Sequence, residues 1–241
     1  MLAGCALRSP RPHLRPTTAE ELLAGLTTRR MAVTSLRGRA RLRAGLRGAW
    51  TREAILVRRP AAIRIDVFSP LGLALAVGVQ RGVLWAYPPA AATRYEGAAT
   101  PANLSRFLGA PLAVADVIDV LLGVPPARAA SGPPELSTTD EGEYRVTVPL
   151  AGGSQTIWFA GETLTVRRAE ERSGDVLTLR LAFDDYRDAF PHAIEIAAPT
   201  AAAGARLVFE TVEPNAVLDP ALFAPPPAPR VLPLEDGEGP S

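Results

Sequence analysis

Residues 62–80 read AIRIDVFSPLGLALAVGVQ. In Ile63-Arg64-Ile65-Asp66-Val67 the aliphatic side chains fall on one face and the charges on the other, the period-two pattern of a half-buried strand. Leu73-Ala74-Leu75-Ala76-Val77-Gly78-Val79 repeats the period, with large residues on one face and Ala or Gly on the other. Between them, Phe68-Ser69-Pro70-Leu71-Gly72 carries turn chemistry, since Pro presets φ and Gly takes conformations that other residues avoid. These residues predict a hairpin with one face of branched aliphatics. They also place a Leu, not a polar residue, in the turn, either exposed at its tip or tucked under the sheet edge.

Working outward, the same signature recurs in short runs separated by Gly or Pro. Strands are expected at 33–45, 48–59, 62–68, 73–80 and 83–88, then at 143–150, 155–160, 163–170, 175–183, 192–198 and 204–213. Alternation is clear in Leu177-Thr178-Leu179-Arg180-Leu181 and in Ile194-Glu195-Ile196. Thr17 or Thr18, with Glu20 and Glu21 following, forms a capping-box signature for a helix over 18–31 carrying Leu22, Leu23 and Leu26. Thr100 and Pro101 open a second helix with Leu104, Phe107 and Leu108 on its stripe, closed by Gly109. Beyond Pro111, residues Val114, Val117, Ile118, Leu121 and Leu122 form a third stripe, closed by Gly123. A Pro- and Ala-rich link over 125–135 crosses to the second strand set. About eleven strands and three helices predict a mainly β domain, a large antiparallel sheet with helices covering one face. Periodicity alone leaves that face open to two readings, a packed core or the wall of a cavity.

The chain has 241 residues, 47% of them hydrophobic and 21% charged, enough to bury a core. All 26 basic residues are Arg, and the net charge is +1. Such a balance offers no basic stripe for nucleic acid, and aromatic residues at 6% offer no base-stacking platform. Two His and one Cys supply little for a metal site, and no cofactor motif is present. Gly152-Gly153-Ser154 lacks the pattern of a nucleophile elbow and reads as a turn. His13 lies in a Pro-rich tether, and His192 reads as a half-exposed strand residue. Asp184, Asp185 and Asp188 lack calcium-loop spacing and read as a solvated turn. No catalytic set emerges, so a non-enzymatic protein is expected. No run of 18 apolar residues is present to span a membrane.

The ends differ from the middle. Leu2-Ala3-Gly4-Cys5 looks like a bacterial lipobox, whose Cys is lipidated and becomes the N-terminus. Only Met1 precedes it, so either the natural start lies upstream or the match arises by chance, leaving a surface Cys. Residues 1–16 then read as a lipobox remnant and extended tether, 17–224 as the folded domain, and 225–241 as a loose tail, Pro-rich and then acidic.

Three segments, taken in order, resemble a known family: the Arg37-Gly38-Arg39-Ala40 strand opening, the Pro70-Leu71-Gly72 loop, and RYEGAATPANLSRFLGAPLAVADVIDVLLGVPP from Arg94 to Pro126. The last contains a Gly109-Ala110-Pro111 hinge and a Leu122-Gly123-Val124-Pro125 turn. Over roughly 18–213 the chain resembles the LolA/LolB superfamily of lipoprotein localisation factors, and LolB-like outer-membrane receptors within it. The resemblance implies a curved, incomplete antiparallel β-barrel with a helical lid over an apolar cavity for the acyl chains of lipoproteins. It implies Cys5 as lipid anchor and Pro70, Leu71 and Gly72 as a loop inserted into the outer membrane. It further implies acylated lipoproteins as cargo, a periplasmic LolA-like carrier as donor, and an anchored monomer on the periplasmic face of the outer membrane. With that implication, Ile63, Ile65, Val67, Leu73, Leu75, Val77 and Trp85 are expected to line the concave face, opposed by Ile118 and Leu121 from the lid. A sensor or scaffold lipoprotein using the same half-barrel to bind a protein partner is the alternative.

Overall fold

The computed structural model describes residues 14–45, 48–108, 111–201 and 203–234. Helix α1, Ala19–Ala32, begins at the expected capping box: Glu21 N donates to Thr18 Oγ1 at 3.1 Å, and Thr18 N donates to Glu21 Oε2 at 3.0 Å. Its Ala19, Leu22 and Leu26 are buried against the core.

Six strands then run as an antiparallel meander: β1 Ser35–Ala44, β2 Trp50–Arg58, β3 Ala62–Ser69, β4 Gly72–Gln80, β5 Val83–Tyr87 and β6 Thr93–Ala98. Helices α2, Pro101–Leu108, and α3, Val114–Leu121, follow. A second meander comprises β7 Glu135–Thr138, β8 Glu143–Leu150, β9 Gly153–Ala160, β10 Val166–Ser173, β11 Val176–Arg187, β12 Phe190–Ala198 and β13 Ala203–Pro214. Strand β13 returns to pair with β1, which fuses both meanders into one sheet. The last strand, β14 Arg230–Pro233, lies parallel to β6 at the far edge. The order is therefore β14-β6-β5-β4-β3-β2-β1-β13-β12-β11-β10-β9-β8-β7, a large curved sheet that stays open because its edge strands β14 and β7 do not pair.

Every expected strand is present, but the sheet has fourteen strands rather than about eleven. The additions, β6, β7 and β14, are short and weakly apolar, and each gains its hydrogen bonds from a neighbour placed by the rest of the sheet. The expected loose tail is corrected up to residue 234. Arg230–Pro233 pairs with β6, Leu234 is buried and Arg94 Nη1 donates to Pro226 O at 2.6 Å; just before the tail, a 3₁₀ turn at Pro220–Phe223 packs Phe223 with Ala62, Ala216 and Leu218 in a small second core. The aspartate cluster is solvated as expected, but only Asp188 lies in the turn: β11 runs on through Arg187, so Asp184 and Asp185 are exposed strand residues paired with Arg167 and Arg187. His192 is buried in β12, its ring edge-on to Phe190.

The main core lies on the concave face, beneath α1 and α3. Gly123, just past α3, shows why that helix stops where it does. Its φ of +80° suits Gly, and a Cβ there would lie 2.7 Å from Pro191 Cδ.

Candidate functional site

Cross-strand register explains the concave face. Ile55, Ile65 and Val77 lie opposite one another on β2, β3 and β4. The next row runs Phe209, Ala40, Glu53, Val67 and Leu75, and beyond it Ile194 and Leu207 stand beside Leu42. Because side chains alternate faces, one register aims all of these at the helices. The last paired residues of β1 and β13 here are Ala44 and Ala205, at the sheet end that also carries the β3–β4 turn.

The helices close over these rows. Thr100 caps α2 by accepting from Asn103 N at 3.2 Å. Phe107 of α2, Leu112 of the connector, and Val117, Val120 and Leu121 of α3 face the sheet. Between the layers lies a cavity of about 110 Å³, bounded below by Leu42, Ala44, Glu53, Ile55, Ile65, Val67, Leu75, Val77, Ile194, Ile196, Ala205 and Leu207. A dry, Leu- and Phe-lined cavity on the order of 150 Å³ holds a benzene-sized group. The space therefore has room for part of an alkyl chain and not for a whole one.

Of the expected liners, Ile65, Val67, Leu75, Val77 and Leu121 border this cavity. Ile63 and Ile118 are packed into the adjoining core, and Leu73 is exposed at the hairpin end. Trp85 is a correction. It pairs with Gly78, whose neighbours Val77 and Val79 face the core, so Trp85 is directed to the convex face. There its Nε1 donates to Phe223 O at 3.2 Å, Arg64 stacks on its ring, and a Cβ on Gly78 would run into the indole.

One liner is charged, and sequence reading passed over it. Glu53 is 3% exposed, in a row otherwise made of Phe, Ala, Val and Leu. Thr51 Oγ1 donates to its Oε1 at 2.7 Å, while Oε2 is buried with no hydrogen-bond partner. Burial pushes the carboxyl from its ordinary 4.5 to about 7; the Thr51 hydrogen bond opposes that rise and the Asp66 charge adds to it. The signal available in sequence was a lone Glu at an inward position of a strand.

A second buried acid, Asp119 on α3, fixes the lid. Arg30 Nε donates to its Oδ2 at 3.2 Å and Ala127 N to the same oxygen at 3.2 Å. Arg59 Nη1 lies 2.6 Å from Oδ1 as an ion pair outside hydrogen-bond alignment. Arg30 also donates to Pro125 O and Arg59 to Val33 O, so one carboxylate ties α3 to α1, to the β2–β3 turn and to the 125–127 segment.

At the β3–β4 turn, Leu71 is 99% exposed. Leu71 N donates to Ser69 Oγ at 3.2 Å, Ser69 Oγ donates to Gly72 O at 3.2 Å, and Gly72 takes φ +113°. The turn is thus held by the Ser69 hydroxyl bridging its backbone, while Leu71 stays fully exposed. Trp50, exposed at the same sheet end, carries the guanidinium groups of Arg41 and Arg43 on its ring. Cys5 and residues 109–110 of the Gly109-Ala110-Pro111 hinge lie outside the described residues. Among the described residues, no helix is long and apolar enough to cross a membrane.

No protein-family model matches the chain, and no curated protein matches it. Among solved structures it is similar to a LolA superfamily protein from Nitrosomonas europaea, with 13% identity and TM-score 0.57 over 87% of this chain and 99% of that one. It is also similar to a domain assigned to outer membrane lipoprotein sorting, from Vibrio parahaemolyticus, with 13% identity and TM-score 0.55 over 86% of this chain and 97% of that one. These likenesses establish the fold, a LolA-like open curved sheet with three helices.

Proposed function

We propose that this protein binds the acyl chains of lipoproteins between its concave face and the α2–α3 lid and helps to insert them into the outer membrane. In this reading Cys5 is the lipid anchor, and a periplasmic LolA-like carrier hands over the cargo. The single observation that carries the proposal is an apolar cavity under a helical cover, whose lining reaches Ala44 and Ala205 at the sheet end where a fully exposed Leu71 projects. Each CH₂ kept from water is worth about 0.8 kcal/mol, so a carrier of acyl chains needs a continuous apolar surface from donor to bilayer. The exposed Trp50 with its arginines at the same end suits the membrane–water interface. The names of the two similar structures, a LolA superfamily protein and a lipoprotein-sorting domain, agree with an envelope location.

The small cavity also favours one competing reading. If α2 and α3 never part, the concave face is a core and the half-barrel is a scaffold for a protein partner. The deciding experiment uses the full chain with Cys5→Ser and a fluorescent apolar probe. Displacement by a triacylated lipopeptide, and not by the same peptide without acyl chains, supports acyl binding. No probe binding by a folded protein favours the scaffold.

A further inference from the structure

We infer that the buried Glu53 carboxyl donates a hydrogen bond to the carbonyl heading an ester- or amide-linked acyl chain, so that the cavity selects such chains over free fatty acids and alkylammonium ions. The inference rests on the acyl-binding reading and names the ligand class.

The geometry begins with an orphan. Glu53 Oε2 is buried without a partner, while Oε1 is already occupied by Thr51 Oγ1. A buried polar atom left unpaired costs free energy, and a ligand that pairs it recovers that cost. Position matches an acyl headgroup. Glu53 lies two residues inward from Thr51 and three from the start of β2, near the end where β1 finishes at Ala44 opposite Ala205 of β13. Deeper along the same face are only aliphatic liners such as Ile55, Ile65 and Val77. A chain entering from that end would therefore place its methylenes past Glu53 and its carbonyl beside it.

The charge state selects among headgroups. From β1, Ala40 and Leu42 flank Glu53; from β3 and β4, Val67 and Leu75 do so; the lid contributes Phe107, Leu112 and Val117. None of these titrates. Asp66, on the other face of β3, repels the ionised form, and Arg106 of α2 makes no hydrogen bond with it. With no cation to hold it ionised, the carboxyl stays protonated to about neutral pH and offers an O–H donor. An ester or amide carbonyl accepts that proton and brings no charge. A fatty-acid carboxylate would bury a charge that no cation on this wall compensates, and an ammonium would have to draw Glu53 into its ionised form and bury an ion pair whose desolvation the aliphatic wall does not offset.

The test measures displacement of an apolar probe from the full chain carrying Cys5→Ser, by ligands of one chain length: a methyl ester, a methyl thioether whose sulfur is only a weak acceptor, a free acid and an ammonium salt. At about pH 6 the ester is expected to bind roughly three- to tenfold more tightly than the thioether, the size of one hydrogen bond, with that preference fading by about pH 8. Glu53→Gln, which keeps a donor, should retain the preference and lose its pH dependence. Glu53→Leu should lose the preference for the ester. Equal wild-type binding of ester and thioether overturns the Glu53 assignment while leaving the acyl cavity standing, as does tightest binding of the ammonium salt. If even the thioether fails to displace the probe, the acyl-binding reading itself falls and this inference with it.

Discussion

Replacing Glu53 with Gln should change how stability depends on pH. In the folded protein the carboxyl titrates at about 7 instead of 4.5, because burial disfavours the charged form. Between these values the folded state holds a proton that the unfolded chain releases, so rising pH drains stability. Below 4.5 both states are protonated and nothing is lost; above about 7 both are ionised and the loss is complete. At about 1.4 kcal/mol per pH unit, the interval amounts to roughly 3 kcal/mol. Gln has the same shape and does not titrate. The stability of Glu53→Gln relative to wild type should therefore rise by about 3 kcal/mol from pH 4 to pH 8, whatever fixed cost the amide brings. Urea denaturation followed by tryptophan fluorescence, with the slope checked at each pH, measures this directly. Two stability curves that run parallel across the range would refute the claim that Glu53 is a buried acid held without a cation.

Three further outcomes follow from the same geometry. Leu71→Glu should leave stability within about 0.5 kcal/mol, since the side chain is fully exposed, but should abolish transfer of a bound lipopeptide to vesicles; unfolding, or transfer at the wild-type rate, would remove the membrane-tip role. Asp119→Ala strips the shared partner from Arg30 and Arg59 and should cost about 3 kcal/mol in denaturant unfolding, with faster hydrogen exchange in α3. Gly78→Ala drives a methyl into the Trp85 indole and should cost about 1–3 kcal/mol, with a shifted Trp85 emission, leaving probe binding on the opposite face intact.

The alternation in residues 62–80 was enough to predict the hairpin and its aliphatic face, because a period of two is a local property of the chain. The capping box at Thr18 and the stripes of α2 and α3 were equally legible, each resting on residues three or four apart. So was the place of Leu71 in a turn, which its flanking Pro and Gly define, whereas the structure decided that it is exposed rather than tucked under the sheet edge. Trp85 shows where local reading stops. Its face depends on which residue of β4 it opposes, and that register is set by the β4–β5 pairing rather than by anything within 83–88. The 225–234 segment looked like a loose tail for a similar reason. Its four-residue strand has a partner only because the first meander ends at β6 with an unpaired edge, and Leu234 is buried only because the core is brought beside it. Glu53 is the sharpest case. In sequence it is one of 25 acids on an alternating strand; in the fold, five strands and a helical lid surround it with hydrocarbon. Periodicity decides which side of a strand a residue faces. What waits there comes from strands far away in the chain, so the dielectric around a carboxyl, and hence its chemistry, belongs to the tertiary structure alone.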